Sequence, residues 1–152
     1  MTATMNITKL PFNELIGLQP AAEDGWLLQL PGGARYTNHV GTVHASALMA
    51  LAEASSGELL LRAMGDIGMD VIPVVRRFEC KFRKAARGAI RSKGVISADA
   101  IGDFISTLRS KGRATIAIAV EVCDESASCV LSASVEWFVA IRSASPTETI
   151  RE

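Results

Sequence analysis

The pattern of apolar and polar positions changes period along this chain. Between Ala45 and Gly57 every position except Glu53 is small or aliphatic, the mark of a helix enclosed on most sides rather than one with a wide polar face. Continued to its limits, this run predicts a helix over residues 42–64, roughly 30 Å long at 1.5 Å per residue, with Gly65 and Gly68 closing it. Upstream, residues 11–18 read as a short opening helix ended near Gly17 and Pro20. Residues 25–30 read as a strand with Trp26, Leu28 and Leu30 on one face, before a turn at Pro31-Gly32-Gly33. After Asp70 the period falls to two. Phe78, Cys80 and Phe82 alternate with Arg77, Glu79, Lys81 and Arg83, as in a strand with one buried and one wet face. Arg87-Gly88 is a hairpin candidate leading into residues 89–98, and residues 97–112 form a less regular insert with a short helix over 101–108. Ala114, Ile116, Ile118, Val120 and Val122 then alternate, a turn occupies 124–128, and Cys129, Leu131, Ala133, Val135, Trp137 and Val139 alternate again, which predicts an antiparallel hairpin.

One long apolar helix needs cover on nearly every side, and about five antiparallel strands curling around it supply that cover. The fold class expected is therefore α+β, strands wrapping a single helix, in one domain over residues 1–142 with a polar tail over 143–152. Hydrophobic residues make up 49% of the 152 positions, yet no run of about 18 uncharged apolar residues occurs, so no membrane span is expected. Sixteen basic residues balance sixteen acidic ones, which argues against a protein held to nucleic acid by phosphate contacts. Residues 1–10 lack the apolar centre of a secretory signal. Cys80, Cys123 and Cys129 are an odd set without metal-ligand spacing, read as reduced thiols of a cytoplasmic protein, and no metal is expected.

Glu53 is the position that asks for a reason. A carboxylate in an apolar setting costs several kcal/mol unless it is paired or neutralised, and burial raises its pKa toward the range useful for proton transfer. A helical glutamate at an edge, or one paired with an arginine, is the plain alternative. Just upstream, Asn38, Gly41 and His44 recur at three-residue spacing and Thr42 offers a hydroxyl as a helix cap. Helix starts present free N–H groups and a positive dipole end, so the amides around His44, Ala45 and Ser46 can hold a carbonyl oxygen that becomes an oxyanion.

These residues resemble the hotdog-fold acyl-CoA thioesterases, in particular the phenylacetic-acid-degradation type and its relatives. That family's pattern runs Asn-x-x-Gly-x-x-His-Gly-Gly, followed by a helix carrying Asp or, in some branches, Glu. Asn38, Gly41, His44 and Glu53 fall on its polar and turn positions in register. Two departures stand out: Ala45-Ser46 replaces Gly-Gly, and Glu53 replaces the more usual Asp.

The resemblance implies a hotdog fold, an acyl-CoA thioester as substrate, no cofactor beyond the coenzyme A that the substrate carries, and pairing into dimers or tetramers. It also implies that Asn38 of one subunit and Glu53 of its neighbour face one substrate. Glu53 would act as general base or as nucleophile, the Ala45 amide as oxyanion donor, and Asn38 as the group that orients water or thioester. His44 sits near the carbonyl or else serves the helix start. Gly41, Thr42 and Ser46 would lie along the substrate, and Arg83, Lys84, Arg87, Arg109 and Lys111 are candidates for the coenzyme phosphates, although a solvated strand face is the plainer account of most of them. Leu48, Met49 and Trp137 are candidates for an acyl pocket. Two other functions share the scaffold: a non-catalytic acyl-CoA-binding protein, and a hydroxyacyl-thioester dehydratase using His39 with Glu53. The stretch from Val43 to Met49 has neither proline nor glycine, which argues against the dehydratase.

Overall fold

The structure, a computed structural model, describes residues 5–142; the polar tail expected over 143–152 lies outside them. A six-stranded antiparallel sheet curls around one long helix. In chain order the regular elements are α1 (Pro11–Leu15), β1 (Gln19–Pro20), β2 (Leu28–Leu30), α2 (Ala45–Met64), β3 (Val71–Phe82), β4 (Ile90–Gly94), α3 (Ala98–Lys111), β5 (Arg113–Cys123) and β6 (Cys129–Ile141), with single 3-10 turns at Ile7–Lys9 and Ala34–Tyr36. This is the hotdog architecture that the resemblance implies, with one strand more than the periodicity predicts.

The strands lie in the order β1-β2-β4-β5-β6-β3. The predicted hairpin is present: β5 and β6 pair from Arg113↔Ala140 to Cys123↔Cys129 around the turn at residues 124–128. The hairpin expected at Arg87-Gly88 is not. The outer neighbour of β6 is β3, paired from Val71↔Ile141 to Phe82↔Leu131, while β4 pairs with β2 and β5. The chain therefore crosses from one side of the β5–β6 hairpin to the other between β3 and β4. Local turn chemistry at Arg87-Gly88 reports that the chain bends there and carries no information about which strand the next segment meets. The result is an edge strand of twelve residues, β3, on which Ile72, Val74, Val75 and Phe82 are exposed.

Helix α2 lies across the concave face. Leu48, Leu51, Ala52, Ala54 and Leu60 are buried against the sheet, and a fully buried leucine contributes about 1.5–3 kcal/mol relative to an exposed one. One polar stitch crosses this interface: the Ser55 hydroxyl lies 2.6 Å from the Leu51 carbonyl and 2.6 Å from the Ser92 hydroxyl of β4, which in turn accepts from the Leu28 amide at 3.2 Å. The helix begins at Ala45, three residues later than predicted, because Val43 and His44 are extended. Val43 forms a bridge with Thr37 and donates to the Ala86 carbonyl, and the His44 amide donates to the Tyr36 carbonyl at 2.7 Å.

The insert at 97–112 proves regular. Ser97 caps α3 through its hydroxyl, Gly112 ends it at φ +74°, and Phe104 and Leu108 face inward. Strand β2 is shorter than predicted, and Trp26 precedes it, its ring covered by the Arg91 guanidinium at 4.0 Å.

Candidate active site

Glu53 lies midway along α2, half-buried, in the wall of a cavity of about 430 Å³. Gly57, Leu60 and Leu61 continue the wall on the same helix, since residues four and seven or eight apart share a face. Trp137 of β6 and Val74 of β3 form the sheet side, and Ile7 and Leu10 of the N-terminal segment close the cavity from outside. Among the described residues, no hydrogen bond or ion pair engages the Glu53 carboxylate. Burial alone raises its pKa above the ordinary glutamate range, because the charged form loses hydration and no cation replaces it. The pairing with an arginine that the sequence left open is absent here: the described salt bridges join other groups, such as Arg62 with Glu58 at 2.9 Å and Arg91 with Glu23 at 2.7 Å.

The loop before α2 is the reverse case. The Asn38 side-chain oxygen accepts from the amides of Val40 and Thr42, both at 3.0 Å, and its amide nitrogen donates to the Thr42 hydroxyl at 2.8 Å. Gly41, at φ +77°, makes the turn between them. Thr42 is buried and serves this loop rather than capping the helix. The cap is His44, whose Nδ1 accepts from the Ser46 amide at 3.0 Å. An accepting Nδ1 puts the proton of the neutral ring on Nε2, so the helix-start role left open for His44 is the one this geometry supports. It also takes the Ser46 amide out of the set of oxyanion donors. The Ala45 amide has no partner among the described residues, and Ala45 is exposed at the positive end of the helix.

These two groups do not meet within one chain. From Ala45 to Glu53 is eight residues, about 12 Å along the axis, too far for both to touch one carbonyl group. His44 and Ser46 open instead on a second cavity of about 460 Å³, walled by Phe12, Leu15, Leu30 and Tyr36 nearer the start of the helix. The basic candidates divide as well. Arg87 reaches the loop, its Nη1 donating to the Gly41 carbonyl at 3.4 Å. Arg83 donates to the Ser132 hydroxyl of β6 at 2.7 Å, and Lys84 lies near enough to Asp124 to help lower that carboxyl's pKa, behind the hydrogen bonds from Ser126 and Ser128. Of the acyl-pocket candidates, Trp137 lines the Glu53 cavity, whereas Leu48 is core and Met49 is exposed at the outer face. His39 is exposed and lines neither cavity.

Two residues beside Glu53, Ser56 and Gly57, are not among the candidates that the sequence offers. The Trp137 indole N–H donates to the Ser56 hydroxyl at 2.8 Å, and that hydroxyl donates to the Glu53 carbonyl at 2.6 Å. Gly57 faces the Trp137 ring so closely that a β-carbon there would lie 3.3 Å from it. A glycine inside a helix costs about 0.5–1 kcal/mol relative to alanine, and that cost at Gly57 was the available signal. Among the described residues no cluster of His, Cys, Asp and Glu has the makings of a metal site, and no helix is long and apolar enough to cross a membrane.

Known proteins add the following. The domain of unknown function DUF4442 matches residues 19–139. A Pseudomonas aeruginosa protein of unknown function, named a probable thioesterase, superposes with a TM-score of 0.75 at 27% identity, over 90% of this chain and 91% of its own. A Haemophilus influenzae thioesterase shares the fold at a TM-score of 0.61 and 13% identity, over 89% and 86% of the two chains. A Bacillus halodurans protein solved with CoA does so at 0.56 and 18% identity, over 74% and 69%. No curated protein matches the chain.

Proposed function

We propose, from the premise that this chain belongs to the DUF4442 family of hotdog-like domains, that it hydrolyses the thioester of an acyl-CoA. The observation that carries this reading is the unpaired, half-buried Glu53 carboxylate in the wall of an apolar cavity. It lies on the helix whose first residue, Ala45, is exposed, with its amide unpaired among the described residues. Thioester hydrolysis needs a base or nucleophile and a donor for the oxyanion. In the general-base route, Glu53 takes a proton from water, the hydroxide equivalent adds to the carbonyl carbon, and the Ala45 amide holds the oxyanion. Collapse then breaks the C–S bond, and the coenzyme leaves as a thiol once protonated. In the nucleophilic route the Glu53 carboxylate adds to the carbonyl carbon, the C–S bond breaks to release the coenzyme thiolate and leave an anhydride, and water then cleaves the anhydride to the free acid and the restored carboxylate.

Because Glu53 and Ala45 lie about 12 Å apart along α2, each site is built from two copies of the chain. The edge strand β3 is the join we favour. Its exposed aliphatic residues leave a flat, apolar edge that natural proteins pair or cover. Val74 and Val75 of that strand also line the Glu53 cavity, so a partner seated there brings its own loop 38–46 toward Glu53. Arg87, held at the Gly41 carbonyl, then offers its guanidinium to a coenzyme phosphate. The CoA bound to the Bacillus halodurans relative supports coenzyme A as the leaving group.

The test is free-thiol release from short, medium, long and aryl acyl-CoAs, with Glu53→Gln as the paired control. The substitution keeps volume and removes the base, so release is expected to fall by about 10²–10⁴, the usual range for a lost general base, while acyl-CoA still binds. A variant as fast as the parent overturns the role of Glu53. One observation favours a second reading, an acyl-CoA-binding protein without turnover: where the thioesterase pattern has Gly-Gly, this chain has Ala45-Ser46, and the Ser46 amide is taken by His44. Binding without thiol release across the whole panel would establish that reading.

A further inference from the structure

The cavity at the start of α2 is furnished differently from the one around Glu53. Phe12 and Leu15 of α1 wall it on one side, both exposed, and Leu30 of β2 adds a further apolar surface. Ala47 and Ala50 line it from the helix with little bulk, and its volume of about 460 Å³ falls within the range of small-ligand sites. The polar part of the lining comes from Arg35, Tyr36, Thr37, His44 and Ser46. No aspartate or glutamate lines it.

Arg35 is held there from several sides. Its Nη2 donates to the Tyr36 hydroxyl at 2.6 Å, that hydroxyl donates to the Ile16 carbonyl at 2.7 Å, and the guanidinium carbon lies 4.7 Å from the centre of the Tyr36 ring. Gly17, at φ +75°, completes the seat: a β-carbon there would collide with Nη2 and stand 2.8 Å from the hydroxyl oxygen. The guanidinium thus occupies space that a side chain at Gly17 would fill. The described hydrogen bonds use one of its five N–H groups. Among the described residues no carboxylate pairs with Arg35. Glu14, the acid of α1, goes to Lys9 at 3.9 Å, whereas Arg62, Arg77, Arg91 and Arg142 each have an acidic partner. The His44 ring in the same lining carries its proton on Nε2, since Nδ1 accepts from Ser46.

We propose that this second cavity binds an organic acid with an apolar body, the carboxylate on Arg35 and the body against Phe12, Leu15 and Leu30. A guanidinium offers a carboxylate two parallel N–H groups, and no acidic group in the lining repels it. The apolar body is called for by Phe12 and Leu15, which gain cover from it; inorganic phosphate would meet the cation and leave both wet. Two kinds of molecule present this chemistry: a free fatty or aryl acid, and an acyl thioester whose far end carries a second carboxylate. The inference does not rest on hydrolysis, and it concerns a cavity that Glu53 does not line.

Tyr36 is the one tyrosine of the chain, which gives a readout confined to this cavity and independent of turnover. With fluorotyrosine at that position, the single fluorine resonance is followed while octanoate is titrated. A saturable shift is expected, and octanol, which has the chain without the charge, should bind at least tenfold more weakly. Arg35→Gln should weaken octanoate tenfold or more, the size of a lost charge-assisted pair, and bring it level with octanol. Gly17→Ala, which displaces the guanidinium without removing it, should weaken octanoate in the same way. Thermal melting verifies the fold of both, and Arg35→Gln, at an exposed position, carries the test if Gly17→Ala does not fold. Adipoyl-CoA that shifts the resonance at lower concentration than octanoate, with the same dependence on Arg35, would uphold the site with the thioester as the source; the reverse order would uphold it with the free acid as the source. The proposal is overturned if millimolar octanoate gives no saturable shift, or if octanoate binds by calorimetry while the tyrosine resonance stays in place. Octanoate that binds Arg35→Gln as tightly as the parent, or inorganic phosphate that matches octanoate, would overturn it too. Thiol release, present or absent, bears on the hydrolysis reading alone.

Discussion

The start of α2 and its middle spend polar groups in opposite ways. At the start, Asn38, Thr42, His44 and the Ser46 amide are bonded to one another within a few residues, and the loop holds its shape by its own hydrogen bonds. In the middle, Glu53 is half-buried, its pKa is raised by lost hydration, and no described group answers its charge. The first region has the economy of a structural device; the second has an uncompensated cost, which is where chemistry is to be expected in a fold that otherwise satisfies its polar groups. The single open donor at the start, the Ala45 amide, is the exception that ties the two regions into one proposed site.

The sharpest way to break this comparison is to ask whether the two regions serve one another across a dimer. Ala45→Pro removes the open amide at the first helical position, where proline is tolerated. His44 already has the extended backbone, φ −61° and ψ 138°, that a following proline requires. We expect thiol release by Ala45→Pro to fall by about 10²–10³, the usual loss for an oxyanion donor, and Glu53→Gln to be at least as impaired. Refolded together in equal amounts, the two variants should recover roughly a quarter of parental activity. Half of the dimers formed at random are mixed, and each mixed dimer holds one intact site. No recovery on mixing, with dimers present by light scattering, would place both groups in a site made by one chain and would contradict the separation of the two cavities.

How far the sequence revealed these features follows from the range of the interactions that set them. The β5–β6 hairpin and the body of α2 are legible because their patterns are local: alternation of Ile116, Ile118 and Val120, and a largely apolar run from Ala45 toward Met64. Even α3 had its signals, Ser97 at one end and Gly112 at the other. The placement of β3 beside β6 was not legible, since Val71 meets Ile141 across seventy residues and nothing near Val71 encodes that partner. The start of α2 was misjudged for a similar reason: Val43 and His44 are held extended by Ala86 and Tyr36. Within the site, Asn38, Gly41, His44 and Glu53 were visible as unlike their neighbours. Ile7 and Leu10 were not, and Trp137 could not be told from Leu48, which is core, because an apolar residue that lines a cavity carries the same sequence signature as one that fills a core.

His44 sharpens the contrast at smaller scale, by separating capping from chemistry. If its ring serves the Ser46 amide, His44→Asn supplies another good cap and should keep both stability and turnover near the parent. His44→Ala leaves that amide without its partner and should lower unfolding free energy by about 0.5–2 kcal/mol, as read from urea melts. Activity lost in His44→Asn with stability intact would instead give the ring a direct part in the reaction.

The smallest effect falls on the other side of the comparison and concerns stability alone. Burial holds the Glu53 pKa above its unfolded value, so the folded protein binds that proton more tightly than the unfolded chain does. The stabilisation this brings is complete only in acid, below the ordinary glutamate range, and is lost as pH rises through the raised value. At neutral pH the ionised carboxylate is therefore a net burden. Glu53→Gln, neutral at every pH, should melt later than the parent near pH 7 by up to about 1 kcal/mol, or about 2–4 °C for a chain of this size. The advantage should shrink as pH falls toward 4. A variant that is less stable than the parent at neutral pH would show that the Glu53 charge is compensated in solution, most simply by a cation from a second copy of the chain. In that case the open end of the comparison would have been closed by the dimer itself.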